Sequence, residues 1–99
     1  MNEVLETKAF WKSYLLCQPN EKKWIDGIKE QLKENLFVGK QLRFYWLREK
    51  KYGDKRLYYI INDKSKKALL IAYSTKKGQQ ETIDRIILNK EYYFQFIQT

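Results

Sequence analysis

The sequence predicts an α+β domain in which an N-terminal strand and a helical hairpin pack on an antiparallel β-sheet of about four strands. Three observations indicate this fold. Apolar residues recur at helical spacing up to about residue 38, they follow strand patterns from about residue 41, and turn residues divide the second part into strand-sized segments. The element order is β-α-α-β-β-β-α, with residues 1–99 expected to form a single domain.

The first helix is predicted directly after a short strand. Residues 2–6 (NEVLE) are expected to form that strand, and Thr7 is expected to cap a helix from residue 8 to about residue 17. Apolar side chains at helical spacing, beginning with Phe10, give this helix one buried stripe.

A second helix is predicted after the break at Pro19. Asn20 is a good N-cap residue for a helix from residue 21 to about residue 36. The apolar residues of this helix recur at helical spacing: Trp24, Ile25, Ile28, Leu32 and Leu36. Gly39 lies where a left-handed residue often ends a helix, so residues 7–38 are expected to form a helical hairpin.

The second part of the chain predicts a meander of strands followed by a helix. Residues 41–48, 55–62 and 67–74 are expected to be strands, and the nearly continuous apolar character of the third suggests a central position. A short helix is predicted over residues 79–88. Residues 89–99 fit either a last amphipathic helix or an edge strand.

The residue types that are missing exclude several chemistries. The chain has no histidine and one cysteine, Cys17. A single cysteine excludes an intramolecular disulfide, and without histidine there is no Ser-His or Cys-His nucleophile and no histidine-based metal site. Cys17 is expected to be inert on the buried side of the first helix. Any proton transfer has to use Lys, Tyr, Glu or Asp.

Neither a membrane span nor a signal peptide is expected. No apolar run approaches the roughly 18–20 residues that cross a bilayer. The N-terminus, MNEVLETK, is acidic and poor in apolar residues, which is not typical of a secretory signal. We therefore expect a cytoplasmic protein without a membrane partner.

The positive charge is unevenly distributed along the chain. The formal net charge is +8, and residues 40–77 alone carry twelve Lys or Arg against three acidic residues. Residues 1–39 are balanced, with six of each sign. Clustered Lys and Arg favour a polyanion such as nucleic acid, although an acidic protein partner or plain surface solvation would use the same residues.

Four short motifs occur in an order that resembles the RelE/ParE superfamily, the toxins of type II toxin–antitoxin systems. They are residues 7–12 (TKAFWK), 47–48 (LR), 53–59 (GDKRLYY) and 72–80 (AYSTKKGQQ). The third is similar to the family's strand motif G-x-x-R-L-x-Y, and the fourth to its strand-to-helix junction. The resemblance covers roughly residues 2–88 and agrees with the predicted element order.

The resemblance implies a function and a set of partners. RelE-like members cut mRNA in the ribosomal A site and inhibit translation, using the ribose 2′-hydroxyl as nucleophile without a metal or another cofactor. ParE-like members instead poison DNA gyrase, and an antitoxin protein neutralises both types. We therefore expect a cognate antitoxin, the ribosome and mRNA as partners. A member that binds gyrase or RNA without cleavage, or a nucleic-acid-binding module unrelated to toxins, stays an alternative.

The resemblance also implies candidate site residues. The predicted catalytic residues are Arg56, Arg48, Lys76 and Lys77, with Tyr73 added by residue type alone. Positioned cations stabilise charge that develops on phosphoryl oxygens. The predicted RNA-binding residues surround them in the sequence: Arg43, Phe44, Trp46, Lys50, Lys51 and Lys55.

One departure from the family pattern concerns the strand predicted over residues 41–48. The strongest ribonucleases of the family carry a pair of lysines there, and the aligned positions hold Phe44 and Trp46. These rings are expected either to pack in the protein or to stack on an unpaired base. No residue is assigned as the general base.

Overall fold

The computed structural model describes all 99 residues and confirms the α+β fold. A single 3-10 turn, Lys76–Gly78, joins the last strand to the third helix. The other elements are β1 (Glu3–Glu6), α1 (Lys8–Leu15), α2 (Pro19–Glu34), β2 (Lys40–Gln41), β3 (Leu47–Tyr52), β4 (Lys55–Asn62), β5 (Lys67–Thr75), α3 (Gln79–Leu88) and α4 (Lys90–Phe94).

The strands form one mixed sheet in the order β1-β5-β4-β3-β2. β1 runs parallel to β5, and the other neighbours are antiparallel. The sheet therefore has five strands where about four were predicted, because the two-residue β2 adds a short edge. β4 and β5 lie inside the sheet, which explains why nearly all of β4 is buried. No helix is long and apolar enough to span a membrane.

Helices cover both faces of the sheet. On the face that we call the α2 face, α1 and α2 pack on Leu57, Tyr59 and Leu70. On the opposite face, the α3 face, α3 and the C-terminal residues pack on Ile60 and Leu69. The sequence predicted a helical hairpin on one face, and the structure adds a second helical layer. Residues 90–94 of the ambiguous C-terminal segment are helical and belong to that layer.

The strand predicted over residues 41–48 is wrong in its bounds. The chain turns between β2 and β3, where the backbone N–H of Leu47 donates to the carbonyl oxygen of Phe44 at 3.1 Å. The rings of Phe44 and Trp46 stack there with centroids 5.0 Å apart. Aromatic packing in this loop produced the apolar run that resembled a strand, and β3 begins only at Leu47.

Of the two predicted helix N-caps, one is confirmed and one is wrong. The Thr7 hydroxyl accepts a hydrogen bond from the Phe10 N–H at 3.0 Å, as expected of a cap. The cap predicted at Asn20 is wrong, because α2 begins at Pro19 and Gln18 is its N-cap. The Glu21 carboxylate accepts from the Gln18 N–H at 3.2 Å. Proline fits the first helical position because its missing N–H would have no helical partner there.

Gly39 is required by a close approach and not by a left-handed backbone. The Tyr59 hydroxyl accepts from the Gly39 N–H at 2.8 Å and donates to the Leu36 carbonyl at 2.9 Å. A Cβ on Gly39 would lie 2.7 Å from that hydroxyl oxygen and 2.8 Å from the Glu49 carbonyl oxygen. The segment after α2 is thus fixed on the edge of the sheet by a side chain of β4.

Gly39→Ala is therefore expected to lower the free energy of unfolding by about 1–3 kcal/mol, the usual cost of overpacking. Urea titration followed by tryptophan fluorescence measures it. Gly27→Ala is the matched control, since a Cβ there meets nothing within 4 Å. In the middle of α2 that change should stabilise the protein by about 0.5–1 kcal/mol. Equal midpoints for the two variants would contradict the close-approach argument.

Candidate functional site

The α3 face changes from apolar to polar toward the β3–β4 turn. Glu49 lies opposite Tyr58, and Lys51 lies opposite Arg56. Arg56 in turn lies opposite Ser74 of β5. Directly opposite residues of antiparallel strands project on the same face of a sheet. These five residues, which we call the polar cluster, thus occupy neighbouring positions on three adjacent strands.

Arg56 is the fixed cation of the polar cluster. It is only 6% exposed, and its Nη1 donates to the carbonyl oxygens of Gly53 and Lys55, each at 3.0 Å. Its Nε is buried without a hydrogen-bond partner. The backbone of the two-residue turn thus holds the guanidinium in place and leaves donors free. A guanidinium in this state is suited to bind an oxyanion.

The cluster also contains a buried carboxylate. Glu49 is 1% exposed, and its Oε2 accepts a hydrogen bond of 2.9 Å from the side-chain amide of Gln79, in the first turn of α3. Burying a carboxylate is costly unless it is paired with a cation and hydrogen-bonded, and Glu49 has the hydrogen bond but no ion pair. Glu49 lies directly opposite Tyr58 of the neighbouring strand and two residues before Lys51 on β3.

Two hydroxyls of the cluster are buried without a partner. They belong to Tyr58 and Ser74. Burial, followed by the charge of Glu49, raises the pKa of Tyr58 to about 12. Ser74 is a polar neighbour that opposes this shift, but the two hydroxyl oxygens do not meet in hydrogen-bonding geometry. Unsatisfied buried hydroxyls cost stability, and such groups are typical of functional sites.

Three exposed lysines lie in the cluster or beside it. Lys51 is exposed beside Arg56, and Lys76 and Lys77 are exposed in the 3-10 turn that follows β5. The backbone N–H of Lys76 donates to the carbonyl oxygen of Asp54 at 2.7 Å, which joins this turn to the β3–β4 turn. The structure thus brings Lys76, Lys77 and Lys51 to the end of the sheet that holds Arg56.

Tyr73, one of the predicted catalytic residues, lies on the α2 face. It pairs with Leu57, and its hydroxyl donates to the Glu21 carboxylate at 2.6 Å. Burial and this hydrogen bond raise the pKa of Tyr73. The same bond lowers the pKa of Glu21. The sheet therefore separates Tyr73 from the polar cluster, and its hydroxyl already has a partner.

Arg48 also projects on the α2 face, where it lies opposite Tyr59. Its guanidinium donates to the carbonyl oxygens of Tyr45 and Gly39, both at 2.9 Å, and lies 4.8 Å from the centre of the Phe37 ring. These bonds tie the segment between α2 and β3 to the sheet. The side chain predicted to be catalytic is thus occupied in holding a loop.

The predicted RNA-binding residues are divided among three places. Lys51 alone lies on the α3 face beside Arg56, because Lys50 and Lys55 pair with residues of the α2 face. The carbonyl oxygen of Trp46 accepts a hydrogen bond from the Ile61 N–H, near the other end of β4. Ile61 lies about 17 Å along the strand from Arg56. Arg43 and Phe44 lie with Trp46 in the loop between β2 and β3, which is the distant loop. The Arg43 guanidinium pairs there with Asp84 at 2.9 Å.

The charge of residues 40–77 is likewise not confined to one end of the sheet. Lys66 and Lys67 lie at the β4–β5 turn, where Lys66 pairs with Asp63 at 3.1 Å and Lys67 with Glu3 at 3.5 Å. Of the net +9 in this segment, only part therefore borders the polar cluster. The basic residues that do lie together are Lys51, Arg56 and the two lysines of the 3-10 turn.

Sequence reasoning missed four residues of the site. Tyr58, Ser74 and Gln79 lie inside the motifs of residues 53–59 and 72–80, but no role was assigned to them, and Glu49 was counted only as an acidic residue in a basic segment. The alternation along β4 places Arg56 and Tyr58 on one face. That signal was present in the sequence, but the partners of Glu49 required the register of β3. Cys17, expected to be inert, is half-buried, and burial raises the pKa of its thiol.

The architecture and the site define an α+β domain with a polar, arginine-containing cluster at one end of a five-stranded sheet. This is the RelE fold. The chain superposes on the isolated Escherichia coli RelE toxin with a TM-score of 0.67 and 13% identity, over 87% of this chain and 99% of that one. It also superposes on the Mycobacterium tuberculosis RelBE2 toxin–antitoxin complex, with a TM-score of 0.62 and 22% identity over 75% and 96% of the two chains.

A third solved structure with the same fold comes from an intact toxin–antitoxin complex, E. coli RelBE. There the TM-score is 0.67 and the identity 11%, over 76% of this chain and 96% of that one. No family model matches the sequence, and no curated protein sequence matches it. At these identities the likeness establishes the fold.

Proposed function

We propose that this protein is the toxin of a type II toxin–antitoxin system and cleaves mRNA on the ribosome, in the cytoplasm. The observation that carries the proposal is the state of Arg56, whose guanidinium is fixed by two backbone carbonyls while its Nε stays buried and unpaired. The RelE fold and the exposed lysines beside Arg56 support it.

In this proposal the reaction is attack of a ribose 2′-oxygen on the adjacent phosphorus. Arg56 donates to the non-bridging phosphate oxygens and stabilises the charge that develops on them. Lys51, Lys76 and Lys77 hold the backbone phosphates on either side. Glu49 is the carboxylate of the cluster and accepts the proton of the 2′-hydroxyl. Before this transfer Gln79, the partner of Glu49 in the free protein, releases the carboxylate to the substrate.

The proposed antitoxin site is an apolar groove between the start of α1 and α4. Leu5, Leu69, Tyr92 and Phe96 line the groove, and Lys8 borders it. Tyr92 and Phe96 are 57% and 44% exposed, which is unusual for aromatic rings so close together. Glu6 also lines the groove, so its polar edge carries both signs of charge, and an antitoxin segment with apolar side chains fits it.

The double substitution Tyr92→Ala, Phe96→Ala is expected to weaken antitoxin binding by about 10–100-fold, as loss of aromatic anchors does. Titration calorimetry with the protein encoded beside this gene measures it. Leu16→Ala is the control, because Leu16 is 86% exposed at the end of α1 and outside the groove. Unchanged affinity of the double variant would place the antitoxin elsewhere.

Two experiments test the proposed function: cleavage of mRNA by the purified protein, mapped by primer extension, and expression of the protein in cells. Purified protein added to ribosomes that carry a defined mRNA is expected to produce a cut in the A-site codon, and no cut in the same mRNA without ribosomes. Growth arrest with intact mRNA and inhibited gyrase would instead support a ParE-like action. Strongly salt-dependent RNA binding without toxicity would support a binding module.

A further inference from the structure

We propose that Tyr58 is the proton donor to the leaving 5′-oxygen in this cleavage, an assignment that rests on the proposed function. Tyr58 occupies a variable position of the motif that led to Arg56, and the family tyrosine of that motif corresponds to Tyr59. Nothing in the sequence singled it out. Its assignment comes from its place in the polar cluster.

The position of Tyr58 is the first argument. It lies two residues from Arg56 on the same face of β4 and directly opposite Glu49 on β3. Side chains in directly opposite positions have their Cβ atoms about 4.5–5.5 Å apart. The charges of Glu49 and Arg56 both act on the Tyr58 phenol, which places a phosphate group bound to Arg56 beside the Glu49 carboxylate and the Tyr58 hydroxyl.

The state of the hydroxyl is the second argument. Tyr58 is fully buried, yet its hydroxyl has no hydrogen-bond partner. Tyr59, which is also fully buried, and Tyr73, which is partly buried, both donate to an oxygen, at 2.9 and 2.6 Å. Of these three sheet tyrosines, only the one beside Arg56 has a hydroxyl without a partner. A raised pKa keeps this phenol protonated at neutral pH, as a proton donor has to be.

Displacement of the Gln79 side chain is the proposed route by which substrate reaches the Tyr58 hydroxyl. The Gln79 amide reaches from the first turn of α3 to Glu49, the residue opposite Tyr58. A ribose 2′-hydroxyl that takes the place of this amide on Glu49 brings the adjoining phosphate against Arg56 and Tyr58. Gln79 follows directly after the 3-10 turn, so its displacement leaves the sheet intact.

The proposed step is balanced in protons and bonds. The 2′-oxygen–phosphorus bond forms while the 2′-proton passes to Glu49. The phosphorus–5′-oxygen bond breaks while the Tyr58 proton passes to that oxygen. The products are a 2′,3′-cyclic phosphate and a free 5′-hydroxyl, and exchange with water returns the proton from Glu49 to Tyr58.

Tyr58→Phe tests the assignment, with ribosomes that carry either normal mRNA or mRNA with sulfur in place of the scissile 5′-oxygen. A thiolate leaves without a proton, so it does not need the donor. On normal mRNA the variant is expected to be about 100-fold slower than wild type, in line with general acid catalysis. On the thio-substituted mRNA the two proteins are expected to cleave at equal rates.

Tyr45→Phe is the matched control, because that hydroxyl is exposed in the distant loop and its loss should change neither rate. The melting temperature of Tyr58→Phe should equal or exceed that of wild type, since the deleted oxygen has no partner. Equal slowing on both mRNAs would overturn the assignment, and so would an unchanged rate on normal mRNA. Absence of cleavage by wild-type protein would instead remove the proposed function, and this assignment with it.

Discussion

Arg56→Ala is expected to slow cleavage of ribosome-bound mRNA by about 100-fold or more, the effect of losing a positioned donor to a developing oxyanion. The reason is the geometry of the guanidinium. The carbonyls of Gly53 and Lys55 each hold Nη1 at 3.0 Å, so the guanidinium is fixed on the α3 face, on which Arg56 projects. Single-turnover primer extension at saturating protein measures the rate.

Two further variants separate the loss of this donor from other effects. Arg56→Lys keeps the charge but not the planar fork, so it should recover only a small part of the rate. Arg85→Ala removes an equal charge from an exposed position on α3 and should leave the rate unchanged. Melting temperatures for all three variants check that the fold is intact. A rate for Arg56→Ala within threefold of wild type would contradict the proposed role.

The elements predicted best from the sequence are those whose local pattern and tertiary position agree. β4 and α3 have the bounds that were predicted for them, residues 55–62 and 79–88. β4 is central in the sheet, so its apolar run is continuous, and α3 has one apolar side. β3 was misplaced because the residues around Trp46 pack in a loop, which produces apolar spacing without strand pairing.

The site was predicted only in part, because its geometry depends on a β-bulge. The register between β4 and β5 shifts at Tyr58/Tyr59. Regular alternation from Leu69 and Ile71 would have placed Tyr73 on the α3 face, with the polar cluster. The bulge moves Tyr73 to the α2 face and brings Ser74 opposite Arg56. A one-residue shift reverses the side on which every later residue projects, and sequence alone does not show it.

Phe44 and Trp46, where a departure from the family pattern was expected, lie in the loop before β3 and not in the strand next to β4. The strand next to β4 comprises residues 47–52, so its polar positions on the α3 face are Glu49 and Lys51. The α3 face of β3 thus carries one acidic and one basic side chain next to Arg56, and its carboxylate can accept a proton.

Glu49→Gln is the second substitution for which we expect a large effect. It keeps the size of the side chain and one oxygen that can accept from Gln79, so the fold should be retained. The amide, however, cannot accept the 2′-proton at neutral pH. Loss of a general base costs about 100–10,000-fold in rate, and the cleavage rate should fall into that range.

The measurement compares this variant with Glu30→Gln, which removes an equal charge from a side chain that is 71% exposed on α2. RNA affinity of both variants, determined by filter binding, should equal or slightly exceed that of wild type, because each loses one negative charge. A fall in rate without a fall in affinity assigns Glu49 to the chemical step. If Glu49→Gln cleaves as fast as Glu30→Gln, the carboxylate only holds α3 on the sheet, and the 2′-proton goes to another acceptor.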